Sequence, residues 1–257
     1  MSALRVNRLV SVEDMRFQAD ANATPLLVDE IGIDEGITMA LMGPNGAGKS
    51  TLLALCAGLL RPDCGRVVID GRDLTTLDKR EMLTFAAGTF QDPADQLFLA
   101  EVGKEIEFGL RQQRLPAGEI GRRVEDSAND LGLGTVLNSK PYDLPMAERR
   151  LLTIASAVAA RPRLLCLDEP TQDLDAAGIE LLEAVLNARR SAGGTTMIAT
   201  HDSDFAFDVC DQVVVLLDGR VAFQGDWRRL KNQAGWLESN GVNAPTLWSL
   251  PEGVSLG

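Results

Sequence analysis

Gly43-Pro44-Asn45-Gly46-Ala47-Gly48-Lys49-Ser50-Thr51 holds the clearest chemistry in the chain. Its spacing is G-x-x-x-x-G-K-[ST]. The glycines let backbone N–H groups turn inward around a phosphate, and a lysine in that place reaches the terminal phosphates of a nucleotide. The Ser50 hydroxyl is a suitable oxygen ligand for Mg²⁺. An apolar run, TMALM at 38–42, enters the loop, and LLALCAGLL leaves it. The pattern therefore sits between a buried strand and a helix whose N-terminus adds its positive dipole end. A glycine-rich turn with a chance lysine lacks those flanks.

A second group of residues supplies acids and a base. Residues 164–168, LLCLD, read as an apolar strand ending in Asp168-Glu169-Pro170. One carboxylate at such a strand end can hold Mg²⁺, and the next can orient an attacking water. Gln172-Asp173-Leu174-Asp175 follows, and then the strand TTMIAT, which runs into His201-Asp202. His201 is the only histidine, which excludes a histidine-cluster metal site in this chain. Between the phosphate loop and the acids lies Phe90-Gln91-Asp92-Pro93.

The run at 38–42 fits a buried parallel strand, as in an α/β fold. The chain has 257 residues, enough for one sizeable core and a small appendage. Its hydrophobic content of 45% and mean hydropathy near zero are those of an ordinary globular protein. No apolar stretch approaches the ~20 residues of a membrane span, and no signal peptide is visible in MSALRVNRLV. Cys56, Cys64, Cys166 and Cys210 are far apart and form no C-x-x-C pair, which points to a reducing compartment. A formal net charge of −12 argues against a nucleic-acid partner, since gripping a phosphate backbone needs clustered Lys and Arg.

The order of these motifs, from about residue 5 to 225, resembles the ATP-binding-cassette (ABC) proteins. The resemblance implies a P-loop NTPase of the ABC type, with a RecA-like core, an antiparallel β subdomain and an inserted α-helical subdomain. The nucleotide-binding domain would span 1–225, with the helical insertion at about 92–160. It implies ATP held by residues 43–51 and Mg²⁺ held by Ser50, Gln91 and Asp168. Glu169 would be the catalytic glutamate, Gln91 the residue sensing Mg²⁺ and water, and His201 the switch histidine on the γ-phosphate. Asp173 to Asp175 would form the loop that crosses to a partner. An aromatic before the phosphate loop often stacks on adenine in this family. Phe17 is the candidate here, with a packed core phenylalanine as the alternative.

FQDPADQLFLAEVGKEIEFG, residues 90–109, is similar to the corresponding region of energy-coupling-factor importers of vitamins, cobalt and nickel. That resemblance implies a second ABC ATPase, a transmembrane coupling protein and a substrate-binding membrane protein as partners, at the cytoplasmic face of the membrane. Leu97, Phe98, Val102, Ile106 and Phe108 serve equally well as core positions of the helical subdomain. The tail, 226–257, resembles the appendage that joins two such ATPases. Its Trp227, Trp236 and Trp248 are either interface anchors or packed against the chain's own core.

The departure from the family lies in its L-S-G-G-Q signature. Here it reads Leu144-Pro145-Met146-Ala147-Glu148, followed by Arg149 and Arg150. Leu151, Ile154, Ala155 and Val158 keep helical spacing, and Asp143 is placed to cap. The phosphate-binding groups are lost: proline has neither hydroxyl nor N–H, two glycines gain side chains, and Glu148 brings a negative charge. In this family two cassettes face head to tail, so this chain's own site would need a partner's intact signature. A regulatory cassette with little turnover, or a non-transport ATPase, are the rival readings. Acidity and the lack of coiled-coil or zinc insertions weigh against the latter.

Overall fold

A computed structural model describes residues 8–20 and 23–249. Its centre is a ten-stranded sheet in the order β5-β4-β1-β2-β10-β9-β3-β8-β7-β6. The strands are β1 (Arg8–Phe17), β2 (Leu26–Asp34), β3 (Thr38–Met42), β4 (Cys64–Ile69), β5 (Arg72–Asp73), β6 (Ala86–Gly88), β7 (Leu164–Asp168), β8 (Thr195–Ala199), β9 (Gln212–Leu217) and β10 (Arg220–Asp226). The strands β9, β3, β8, β7 and β6 run parallel. At the other end β1 pairs antiparallel with β2 and β4, and β9 turns into β10 as an antiparallel hairpin. That hairpin turns at Asp218 and Gly219, both at positive φ.

Both faces of the parallel strands are buried, which explains their unbroken apolar runs. Along β3, Met39 and Leu41 face one core while Ala40 and Met42 face the other. Along β9, Val214 and Leu216 alternate with Val213 and Val215 in the same way. On one face lies helix α1 (Lys49–Cys56), packed with the antiparallel strands. The other face carries α5 (Met146–Ala159), α6 (Ala176–Ser191), α7 (Ser203–Val209) and α8 (Trp227–Lys231). Helix α2 (Lys79–Phe85) starts in a capping box of Asp78 and Glu81. Between β6 and β7 the chain forms α3 (Val102–Gln112), α4 (Ala117–Asp130) and α5, which pack on one another.

The aromatic-rich segment divides in two. Leu97, Val102 and Ile106 are buried in this helical layer. Phe98 and Phe108 are 62% and 44% exposed and meet edge to face, with ring centroids 5.1 Å apart. Buried Glu105 shapes the turn before them, accepting from the N–H groups of Phe98 (2.6 Å) and Leu99.

The tail folds back onto α7 and ends in α9 (Ala234–Ser239) and the turn Thr246–Ser249. Trp227 Nε1 donates to the Cys210 carbonyl (2.7 Å), and the rings of Phe207, Trp227 and Trp248 form mutual edge-to-face contacts. Thr246 binds the Asp204 carboxylate through its N–H (2.6 Å) and hydroxyl (2.7 Å). The tryptophans thus pack on the chain's own core; residues 250–257 of the appendage lie outside the described residues. All four cysteines carry free thiols, and burial pushes Cys56 up to about 12.

Candidate functional site

Strand β3 delivers the chain into the phosphate loop, and α1 begins at Lys49. Gly43 has φ +151°, and a Cβ there would stand 2.3 Å from the Leu216 carbonyl oxygen, so a side chain does not fit. Gly48 caps α1 in the left-handed region at φ +98°. Pro44, Asn45 and Gly46 form the outer part of the loop, while Ala47 is buried and donates its N–H to the Pro44 carbonyl (3.2 Å). Lys49 Nζ donates to the carbonyls of Gly43 (2.8 Å) and Pro44 (3.1 Å). Burial pushes the Lys49 ammonium below its ordinary pKa, while Glu169 and Asp168 pull it back up.

Asp168 ends β7 between two parallel neighbours, and its N–H donates to Thr89 Oγ1 (3.3 Å). Its carboxyl is hydrogen-bonded to the Ser50 side chain. Burial raises the Asp168 pKa, the Ser50 bond opposes this, nearby Glu169 raises it, and Lys49 and Arg150 lower it. Glu169 sits at φ +46°, a left-handed conformation uncommon outside glycine and typical of functional positions. Its N–H is tied to Ala199 on β8 (2.8 Å). Its Oε2 lies 2.8 Å from His201 Nδ1 and accepts from the His201 N–H at 3.3 Å. Adjacent strand ends therefore bring these two residues together across 32 positions of sequence. The His201 ring is mostly exposed, facing outward from this pair.

Gln91 follows β6 and lines a cleft of about 740 Å³ together with Ser50, Thr51, Asp168, Arg150 and Asp173. Phe17, at the end of β1, is half-buried against the core around α1. It pairs with Leu26, whose Cδ1 lies 3.0 Å from where a Cβ on Gly48 would stand. Phe17 is thus beside the phosphate loop and packed at once. Asp173 has φ +66°, and Asp175 caps α6 by accepting from Gly178 N (2.9 Å).

The segment aligned with L-S-G-G-Q opens α5, with Pro145 as N-cap and no side-chain cap. Asp143 does not cap this helix, contrary to the sequence expectation. It closes the 3₁₀ turn Pro141–Asp143, and the extended Leu144 (ψ 148°) and Pro145 (ψ 156°) carry the helix start away from it. Met146 and Glu148 occupy the first turn. Arg150 was not singled out from the sequence. It is 1% exposed and lies between two loops, donating to the Gln91 carbonyl and the Asp173 carboxylate. Its signal was available: position 150 falls in the apolar stripe of Leu151, Ile154, Ala155 and Val158, where a permanent cation is out of place.

A phosphate loop, an acid pair at a neighbouring strand end and a facing histidine define a nucleotide-hydrolysing centre of the ATP-binding-cassette class. The family described as "ABC transporter" matches residues 29–172. The chain belongs to the ABC transporter family, as an ATP-binding and ATP-hydrolysing subunit of the energy-coupling-factor type. It is 36% identical to an energy-coupling factor transporter ATP-binding protein of Carboxydothermus hydrogenoformans, over 96% of this chain and 91% of that protein. It is also 36% identical to a cobalt import ATP-binding protein of Rhodobacter capsulatus, over 86% and 79% of the two chains. The structure of cbiO1 from Clostridium perfringens, part of the cbiONQ transporter complex, superposes with a TM-score of 0.75 at 28% identity, covering 95% and 98%. A dimeric ATP-binding cassette bound to ADP and phosphate shares the fold, with a TM-score of 0.75 at 23% identity, covering 85% and 98%.

Proposed function

We propose that this ATPase is one half of an unlike pair of cassettes that powers uptake of a vitamin or a transition-metal ion. The observation that carries the reading is a contrast within one chain. Lys49, Asp168, Glu169 and His201 are assembled, whereas the start of α5 lacks the groups that would contact a partner's nucleotide. Residues 43–51 would wrap the phosphates, with Lys49 leaving the Gly43 and Pro44 carbonyls for the β- and γ-oxygens. Phe17 would lie along the adenine. Glu169 would align a water against the γ-phosphorus and accept its proton as the new P–O bond forms and the bridging P–O bond breaks to release ADP. His201, held by Glu169, would steady the γ-phosphate.

The hydroxyl of Ser50, the carboxylate of Asp168 and the amide oxygen of Gln91 line one cleft and are all hard oxygen donors. That set suits Mg²⁺ completed by phosphate oxygens and water, and no cluster of three His, Cys, Asp or Glu able to hold a metal is present among the described residues. The ion would neutralise developing charge on the phosphates.

A membrane partner is supported by the exposed apolar side chains of Leu59, Leu60, Phe90, Phe98 and Phe108. With Met82 they line a groove of about 590 Å³ beside Gln91. No helix among the described residues is long and apolar enough to cross a membrane. The groove would take a short helix of a transmembrane coupling protein, placing this chain at the cytoplasmic face. Residues 1–225 would form the cassette, with about 92–160 as its helical part, and 226–257 an appendage contacting the second ATPase.

Affinity isolation from detergent-solubilised native membranes tests this, with partners identified by mass spectrometry. The expected set is a transmembrane coupling protein, a small substrate-binding membrane protein and a second ATPase carrying L-S-G-G-Q. Recovery as a homodimer free of membrane proteins would overturn the reading.

A further inference from the structure

Arg150 lies in the fifth position of α5, and its side chain is among the largest fully buried ones in the chain. Nη1 donates to the backbone carbonyl of Gln91 at 2.5 Å, and Nη2 lies 3.3 Å from Asp173 Oδ2. The Arg150 carbonyl accepts from Thr153 Oγ1 (2.8 Å), which keeps the root of the side chain in the helix. Nε has no hydrogen-bond partner. A guanidinium cannot shed its charge, and a buried one is tolerated only where partners compensate it. Here compensation comes from Asp173 and, at longer range, from Asp168, whose ionised form Arg150 favours. Each segment has hydrogen bonds of its own, from Gln96 around Phe90 and between Thr171 and Leu174, but Arg150 is what ties the two to α5. Gln91 is exposed, and Asp173 sits at positive φ in a turn before α6.

We infer that Arg150 is a positioning residue that locks the Gln91 loop and the Asp173 loop to the first turns of α5. The planar fork makes the lock directional, because its two nitrogens set the angle between the loops as well as their distance. A shift of the α5 start, where a partner's nucleotide would lie, is then passed at once to Gln91 beside Asp168 and to Asp173 at the partner face. The side chain acts through the two loops that it holds. The inference rests on the reading of Gln91 and Asp173 as parts of the hydrolytic site.

Arg150→Lys and Asp173→Asn, in the complex isolated from membranes, test it by amide hydrogen exchange and steady-state kinetics. Lysine keeps the charge without the fork, and asparagine keeps the shape without the charge. Expected for each are faster exchange in 90–96 and 171–175, unchanged exchange in 43–51, KM for ATP within twofold, and kcat lowered about tenfold. The double variant should be no worse than the poorer single one. Gln91→Ala keeps the carbonyl that Arg150 holds, so its kcat judges the role of Gln91 separately. Unchanged exchange in both loops, faster exchange throughout the chain, or an unaltered kcat in Arg150→Lys would each overturn the proposal. Should Arg150→Lys fail to fold, Asp173→Asn alone is judged by the same readouts.

Discussion

The acid pair at the end of β7 divides its labour through environment. Asp168 is buried and bonded to Ser50, while Glu169 is turned by its left-handed backbone toward His201. Glu169→Gln should therefore leave ATP binding within a few-fold, measured by equilibrium titration, and lower turnover by about 100-fold or more, the usual scale for losing a positioned proton acceptor. Asp168 has a sign that can be tested without nucleotide. Its folded pKa is raised, so its ionised form costs stability at neutral pH, and the cost fades as pH falls through the raised pKa toward the unfolded value. Asp168→Asn should raise the melting temperature of the nucleotide-free chain at pH 7 by about 2–4 °C, for a gain on the order of 1 kcal/mol. The difference from wild type should narrow near pH 4, as read by calorimetry; a constant difference would point to packing instead.

Elements explain what was legible. The strands ending at Met42, Asp168 and Ala199 are short apolar runs leading straight into functional residues, so periodicity and motif coincide. Fixed turns such as Asp218-Gly219 are equally plain in sequence. The contacts that join loops far apart were not legible. Arg150 reaches Gln91 across 59 positions, and only the folded helix decides which face of α5 it occupies. Asp143 misled for a related reason: a cap is chosen by local backbone direction, which Pro145 altered. The aromatic segment that leads into and through α3 was ambiguous because helical spacing alone cannot separate a core residue from a docking one. Exposure resolves it, leaving Phe98 and Phe108 on the groove. Phe98→Asp together with Phe108→Asp should shift stability by no more than about 0.5 kcal/mol each, as for surface positions. The same pair should abolish recovery with membrane proteins; co-purification at wild-type yield would remove the groove as the docking surface.

At the scale of the whole molecule, the ten-stranded sheet carries the candidate nucleotide-binding residues on neighbouring strands of its parallel part, while the helical layer presents α5 as a separate face. One face brings Lys49, Asp168, Glu169 and His201 together, and the other offers a helix start without the serine and glycines of the signature. In the proposed unlike pair, the second chain would supply the half that this helix start lacks. The tail packs firmly on α7, so any contact it makes with a second ATPase is built on a surface the chain already holds in place. The most direct measurement is the steady-state ATPase rate of the purified chain alone, compared with a variant carrying Pro145→Ser, Met146→Gly, Ala147→Gly and Glu148→Gln. Expected are slow turnover by the wild-type chain, a gain of about tenfold or more in the variant (at least ~1.4 kcal/mol of barrier), and loss of that gain on adding Glu169→Gln. Fast turnover by the wild-type chain alone, or a restored signature that gains nothing, would contradict the unlike pair.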